Sequence, residues 1–246
     1  MKVVALIPAR YDSTRFYGKM LARLGDKTVI RQTYERASGF GIFDEVYVVT
    51  DSDLIYDEIV GHGGKALKSI KKHETGTDRI AEAAENIEAD IIFNIQGDEP
   101  FIKPEPLKLL INAFHDKSVD VATLVQKLDD FNHVNDPNYV KVVKDLNDFI
   151  MYFSRATIPY NRDSSETAVY YEHIGVYAFR RDALLKFSKL NASPLELLEK
   201  VEPIRFLENS MKIKVYETDY MGIEIDTEED LINANKYLET KGIDNV

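Results

Sequence analysis

The chain contains no cysteine, which excludes disulfide bonds, thiol nucleophiles and cysteine-bound zinc together. No apolar run is long enough for a membrane span or a signal-peptide core, so the sequence predicts a cytoplasmic location and no membrane insertion. None of the five histidines stands in a metal-ligand pair such as HExxH, and GxSxG, Walker and dinucleotide GxGxxG loops are all missing. Hydride transfer and serine hydrolysis therefore have no support. Positive charge is in deficit: 31 Lys and Arg face 42 Asp and Glu, a net charge of −11. That balance argues against nucleic acid or an anionic membrane as partner, because both require a basic face.

What remains is 246 residues, 44% hydrophobic and 30% charged, enough for one large α/β domain. The first apolar run, from Lys2 to Ile7, breaks at Pro8 into a polar loop that carries Arg10, Arg15 and Lys19. A short apolar run closed by a turn signal reads as a buried strand, and in open α/β sheets ligands sit just past the carboxyl ends of the strands. Residues 1–36 hold eight Lys or Arg against three acids. A local positive segment in an acidic protein suits a small polyanion such as a nucleoside triphosphate.

Strands near Glu45 to Thr50, Lys65 to Leu67, Asp90 to Ile95 and Val119 to Val125 alternate with helices from Thr28, Ser52, the end of a polar turn at Thr75 to Arg79, and Pro104. The rhythm predicts a mostly parallel, right-handed wound sheet. Between about 127 and 180 the apolar runs are instead separated by turn-rich segments such as Ile158 to Asp163. Antiparallel strands, inserted as a β layer, fit that spacing. Helices near Arg181 to Leu190 and Pro194 to Glu208, a strand from Lys212 to Tyr216 and a helix from about Glu228 close a single domain over residues 1–246.

Two carboxylates draw attention. Asp98 ends the most apolar strand in Gln96-Gly97-Asp98-Glu99-Pro100; it is either a turn former or a ligand for a hard cation such as Mg²⁺, with Glu99 the weaker candidate. Asp226 precedes the last helix and belongs either to its capping box, with Thr227 at the N-cap and Asp230 at N3, or to the same metal site. Spacing leaves both pairs of readings open. His173 is singled out among the histidines because its strand also carries Tyr177.

The segments IPARYDSTR at 7–15, TGTDRIAE at 75–82, NIQGDEPFI at 94–102, YFSRATIPYNRD at 152–163, HIGVYAFR at 173–180, SPLELLEKVEPIR at 193–205 and IDTEEDL at 225–231 together resemble the CMP-Kdo synthetases, the 3-deoxy-manno-octulosonate cytidylyltransferases. The likeness runs over essentially the whole chain. It implies a nucleotidylyltransferase (GT-A-like) α/β fold whose 127–180 region forms the interface of a homodimer. It further implies the reaction of CTP with Kdo, an acidic eight-carbon sugar, to give CMP-Kdo and pyrophosphate for lipopolysaccharide assembly. Carried over residue by residue, Ala9, Arg10, Thr77 and Arg79 would hold cytidine, and Arg10, Arg15 and Lys19 the triphosphate. Asp98 and Asp226 would bind Mg²⁺. Gln96, Arg155, His173, Tyr177 and Glu202 would line the sugar pocket.

Two positions depart from the family pattern: Tyr17 stands where proline usually precedes Gly-Lys, and Pro203 where glutamine often follows glutamate. Proline offers no side-chain hydrogen bond, which leaves open a modified Kdo, such as the 8-amino sugar, as substrate. A cytidylyltransferase for another acidic sugar and a non-catalytic nucleotide-binding subunit are the competing readings; Lys19 and Asp98, both present, argue against the latter.

Overall fold

A computed structural model describes residues 1–13, 15–73, 75–163, 168–219 and 222–241. The chain divides into two compact units, Met1–Glu105 with Met221–Val246, and Pro106–Tyr220.

In the first unit, β1 (Val3–Ala9) is buried at every position. A short 3₁₀ turn (Lys19–Leu21) and a small antiparallel ribbon, β2 (Arg23–Leu24) and β3 (Lys27–Thr28), follow. Next come α1 (Val29–Gly39), β4 (Glu45–Thr50), α2 (Asp53–Gly61), β5 (Ala66–Lys68), α3 (Gly76–Ala84) and β6 (Ile91–Asn94). β1 pairs in parallel with β4 on one side and β6 on the other, and β4 pairs in parallel with β5. A strand flanked on both edges and covered on both faces reads as a continuous apolar run rather than an alternation, which is why Val3 to Ile7 carries no polar side chain.

The helix starts follow from capping. Thr28, Ser52 and Thr75 each accept a hydrogen bond at the hydroxyl from the backbone N–H three residues on, worth about 1 kcal/mol apiece. Residues 75–79, expected as a turn, are thus the N-cap and first turn of α3: the Thr75 side chain supplies the oxygen that lets the helix begin four residues before its first large apolar residue, Ile80. Asp51, next to the Ser52 cap of α2, pairs with Arg79 at 3.0 Å.

In the second unit, α4 (Pro104–Ala113, all but its first two residues) leads to β7 (Val121–Leu128), α5 (Phe131–Asn135), β8 (Lys141–Lys144), β9 (Ile150–Ser154) and β10 (Tyr170–Arg180). α6 (Arg181–Phe187), α7 (Pro194–Glu199), α8 (Ile204–Glu208) and β11 (Ile213–Glu217) complete it. β10 pairs antiparallel with β7 and β8, and β8 with β9, while β11 is parallel to β7. The fold is the expected α/β class, mainly parallel, with antiparallel strands after residue 140.

The helical segment expected over 194–208 is two helices. The backbone turns left-handed at Lys200, with φ of 54°, and Pro203 N-terminal to α8 cannot extend α7. They are tied by Arg205, whose Nε donates to Glu196 Oε2 at 2.7 Å in a buried bidentate pair. Rings of Phe187, Phe206 and Phe179 stack beneath them.

The chain returns to the first unit with α9 (Glu228–Lys241), which packs Leu231, Ala234, Tyr237 and Leu238 around Leu24, Val29, Phe101 and Ile225. No helix among the described residues is long and apolar enough to cross a membrane.

Candidate active site

The first unit opens a cavity of about 260 Å³ beyond the carboxyl ends of β1 and β6, near the lower end of small-molecule sites. Its wall includes Ala9, Arg10, Arg15, Lys19, Arg79, Gln96, Asp98, Glu224 and Asp226. Two glycines shape it. Gly18 takes φ of 70°, a left-handed turn that sends the chain into the 3₁₀ segment and points Lys19 inward. Gly97 lies so close to β1 that a Cβ would meet Pro8 O at 3.1 Å and Ile30 Cδ1 at 3.0 Å, and this approach sets Asp98 beside the loop after β1.

Although it lies in a polar loop, Lys19 is buried, at 5% exposure. Its ammonium donates to Asp98 Oδ2 at 2.5 Å and to Asp226 Oδ1 at 2.9 Å. Two carboxylates within reach outweigh the cost of removing one ammonium from water. Burial by itself would lower the Lys19 pKa, but the charges and hydrogen bonds of Asp98 and Asp226 raise it above the ordinary lysine value. Arg15 adds a second ion pair, Nη1 to Asp226 Oδ2 at 2.7 Å.

Asp226 takes no side-chain part in capping α9. Thr227 Oγ1 accepts from Asp230 N at 3.1 Å, and Asp230 Oδ2 accepts from Thr227 N at 2.8 Å. That reciprocal pair is a complete capping box, so the Asp226 carboxylate is left for the cations.

Sequence reasoning missed Glu224. Asp98, Glu224 and Asp226 each bring an oxygen within 4.8 Å of the others. Burial first, then the charges of Asp226 and Asp98, push the Glu224 carboxyl up to about 7. Its spacing, two residues before Asp226 in an extended segment, places both acids on one side and was the available signal. Three hard oxygen donors close together, two of them on the Lys19 ammonium, are a donor set that fits a cation such as Mg²⁺.

Arg79 is also buried, at 6% exposure; Nη2 pairs with Asp51, while Nη1 has no hydrogen-bond partner among the described residues. A buried unpaired donor costs about 1–3 kcal/mol, which an acceptor on a ligand would offset. Thr77 is buried in α3 and is absent from the cavity wall.

The remaining predicted residues lie in the second unit. His173 lies within β10, as does Tyr177; its ring lies 5.2 Å from those of Tyr177 and Phe153. Burial lowers the His173 pKa to about 4, so the ring is neutral at pH 7. The Tyr177 hydroxyl is raised well above its ordinary value by burial and then by the charge of Glu202. Arg155 is committed to the backbone: Nε donates to Glu199 O at 2.7 Å, Nη1 to Pro137 O at 2.8 Å and Nη2 to Lys200 O at 3.3 Å. It braces the left-handed turn that leads to Glu202.

Residues 4–213 match the family described as cytidylyltransferase. The 3-deoxy-manno-octulosonate cytidylyltransferase of Flavobacterium johnsoniae is 52% identical over 97% of this chain and 99% of that protein. Its counterpart in Fusobacterium nucleatum is 44% identical over 99% of each. Among solved structures, CMP:2-keto-3-deoxy-manno-octonic acid synthetase complexed with CTP superposes with a TM-score of 0.93 at 37% identity, covering 97% of this chain and 99% of that one. A 4-diphosphocytidyl-2C-methyl-D-erythritol synthase from Anaerococcus prevotii, 19% identical with a TM-score of 0.63, shares the fold. With identity this high over nearly the full length of its relatives, the chain belongs to the 3-deoxy-manno-octulosonate cytidylyltransferases.

Proposed function

We propose that this cytidylyltransferase transfers CMP from CTP to Kdo, as a step toward lipopolysaccharide, using the first-unit cavity for the nucleotide. The observation that carries the reading is the meeting of Lys19 and Arg15 with Asp98 and Asp226 at the carboxyl end of the central strand. The cavity thereby offers cations for a triphosphate and carboxylates for the metal that accompanies it.

The anomeric hydroxyl oxygen of Kdo attacks the α-phosphorus, the bond from that phosphorus to the bridging oxygen breaks, and pyrophosphate leaves with the electron pair. The hydroxyl proton passes to solvent. Such a displacement needs alignment and charge neutralisation rather than a protein nucleophile, in keeping with a chain that has no cysteine. Arg10, Arg15 and Lys19 hold the phosphates and stabilise the charge that grows on the departing pyrophosphate. Arg79, with its unpaired Nη1, and Ala9 hold cytidine. Asp98 and Asp226, joined by Glu224, would hold Mg²⁺, which when bound acidifies the attacking hydroxyl and screens the α-phosphate oxygens. On binding, Lys19 passes from the carboxylates to phosphate. His173, Tyr177 and Glu202 receive the sugar, and two chains associate through the antiparallel region.

Pyrophosphate release tests this, measured with CTP or UTP against Kdo, 8-amino-Kdo and sialic acid. CTP with Kdo should be preferred. Equal turnover of UTP would defeat the cytidine assignment, since a site that bonds the 4-amino group rejects the oxo analogue strongly. Turnover confined to the 8-amino sugar would move the substrate to the modified acid.

A further inference from the structure

β7 and β10 lose register between Ile174 and Tyr177: Ile174 faces Leu124, while Tyr177 faces Thr123. The extra residues of β10 bulge, and the Thr123 side chain fills the bulge. Paired residues of an antiparallel ladder point to the same side, so Thr123, Val125, His173 and Tyr177 share one face. Thr123 is fully buried. Its Oγ1 lies 2.8 Å from Val176 O, 3.1 Å from Ile174 O and 3.2 Å from His173 Nε2.

Those distances assign hydrogens. A threonine hydroxyl has one proton, and carbonyl oxygens only accept. If the proton went to the imidazole, two carbonyl oxygens would face a bare hydroxyl oxygen at hydrogen-bond distance. With the proton on the shorter contact, to Val176 O, an Oγ1 lone pair faces Nε2 and accepts its hydrogen. Nε2 is then the protonated nitrogen, and Nδ1 carries a free lone pair. No described residue donates to Nδ1.

We propose that the Thr123 hydroxyl fixes His173 in the Nε2–H tautomer, so that its bare Nδ1 accepts a hydroxyl group of the sugar acid and turns away its carboxylate. The choice of ligand group rests on the function proposed above; the tautomer does not. A neutral ring with an outward lone pair repels an anion and attracts an O–H, and Kdo is rich in hydroxyl donors. Edge-on contact with Phe153 holds the ring plane that makes the assignment directional. Thr123 is accordingly a positioning residue, acting through His173.

Long-range ¹H–¹⁵N NMR on histidine-labelled protein at pH 7 tests this, with His173→Gln identifying the resonance. His173 should show a protonated Nε2 and an unprotonated Nδ1 in the free protein. Thr123→Ser should retain that pattern, whereas Thr123→Val should give a mixture of tautomers. In steady-state assays Thr123→Val should raise KM for Kdo by the inverse of the Nε2–H fraction that remains, about twofold for an even mixture, with kcat and KM for CTP nearly unchanged and Thr123→Ser restoring the wild-type value. An Nδ1–H tautomer or an imidazolium in the unsubstituted chain would overturn the proposal, and that measurement stands even if Thr123→Val does not fold. An unaltered tautomer in folded Thr123→Val would overturn it as well. The Nε2–H tautomer in a protein that does not turn over Kdo would support the part played by Thr123 and refute the sugar assignment.

Discussion

The carboxylate of Asp226 accepts a hydrogen bond from the ammonium of Lys19 at 2.9 Å although 207 positions separate the two residues. Asp226 is brought there by α9 and the segment before it, and Lys19 by the turn at Gly18. Between them they set one ammonium against two carboxylates on the cavity wall.

Lys19 therefore has a structural part beside the phosphate-binding part proposed for it. Lys19→Ala should lower stability in metal-free buffer by about 1–3 kcal/mol, because Asp98 and Asp226 lose their shared counter-charge. Added Mg²⁺ should recover part of that loss, and pyrophosphate release should fall by roughly 10² or more. Thermal unfolding with and without Mg²⁺ checks the first two effects; an unchanged midpoint in both buffers would contradict them.

Cap and cation site can be separated by two single substitutions. Thr227→Ala should cost about 1 kcal/mol of stability and leave the rate nearly intact, since it removes only the N-cap oxygen. Asp226→Asn should keep the capping box and lower activity on the order of 10²-fold or more, with weaker Mn²⁺ binding read by electron paramagnetic resonance. Full activity and full Mn²⁺ affinity in Asp226→Asn would leave Asp98 and Glu224 as the acids that matter.

The half-buried His173 makes the protein sensitive to acid in a stated window. Its folded pKa is about 4 against about 6.5 unfolded, so between those values the unfolded chain binds the extra proton. Stability is then lost as pH falls from about 6.5 toward 4, by up to about 1.4 kcal/mol for each unit of difference. His173→Gln should flatten this part of the pH–stability curve. An equally steep curve in that variant would assign the acid sensitivity to other groups.

Glu196 and Arg205 form a buried bidentate pair that joins α7 to α8. Glu196→Gln should destabilise by about 3–5 kcal/mol, since it strands a buried guanidinium; substituting both residues by leucine and methionine should cost much less. Denaturant midpoints for the single and double variants measure the difference.

The order of strands and helices was legible in the sequence because each rests on local chemistry: β1 on an unbroken apolar run, α1 and α2 on Thr28 and Ser52 as caps, the antiparallel region on its turns. The family could be read from motifs spread over the whole chain. Local patterns also suggested that Asp98 and Asp226 carry more than turns and caps, without choosing between the readings. Tertiary structure assigns the cap of α9 to Thr227 and Asp230, which leaves the Asp226 carboxylate outside it. It also decided that Lys19 is buried, that Glu224 stands with the two aspartates, and that Thr123 meets His173 across a bulge. Burial and partnership at these positions arise between segments far apart in the chain, and no local pattern encodes the distance between them.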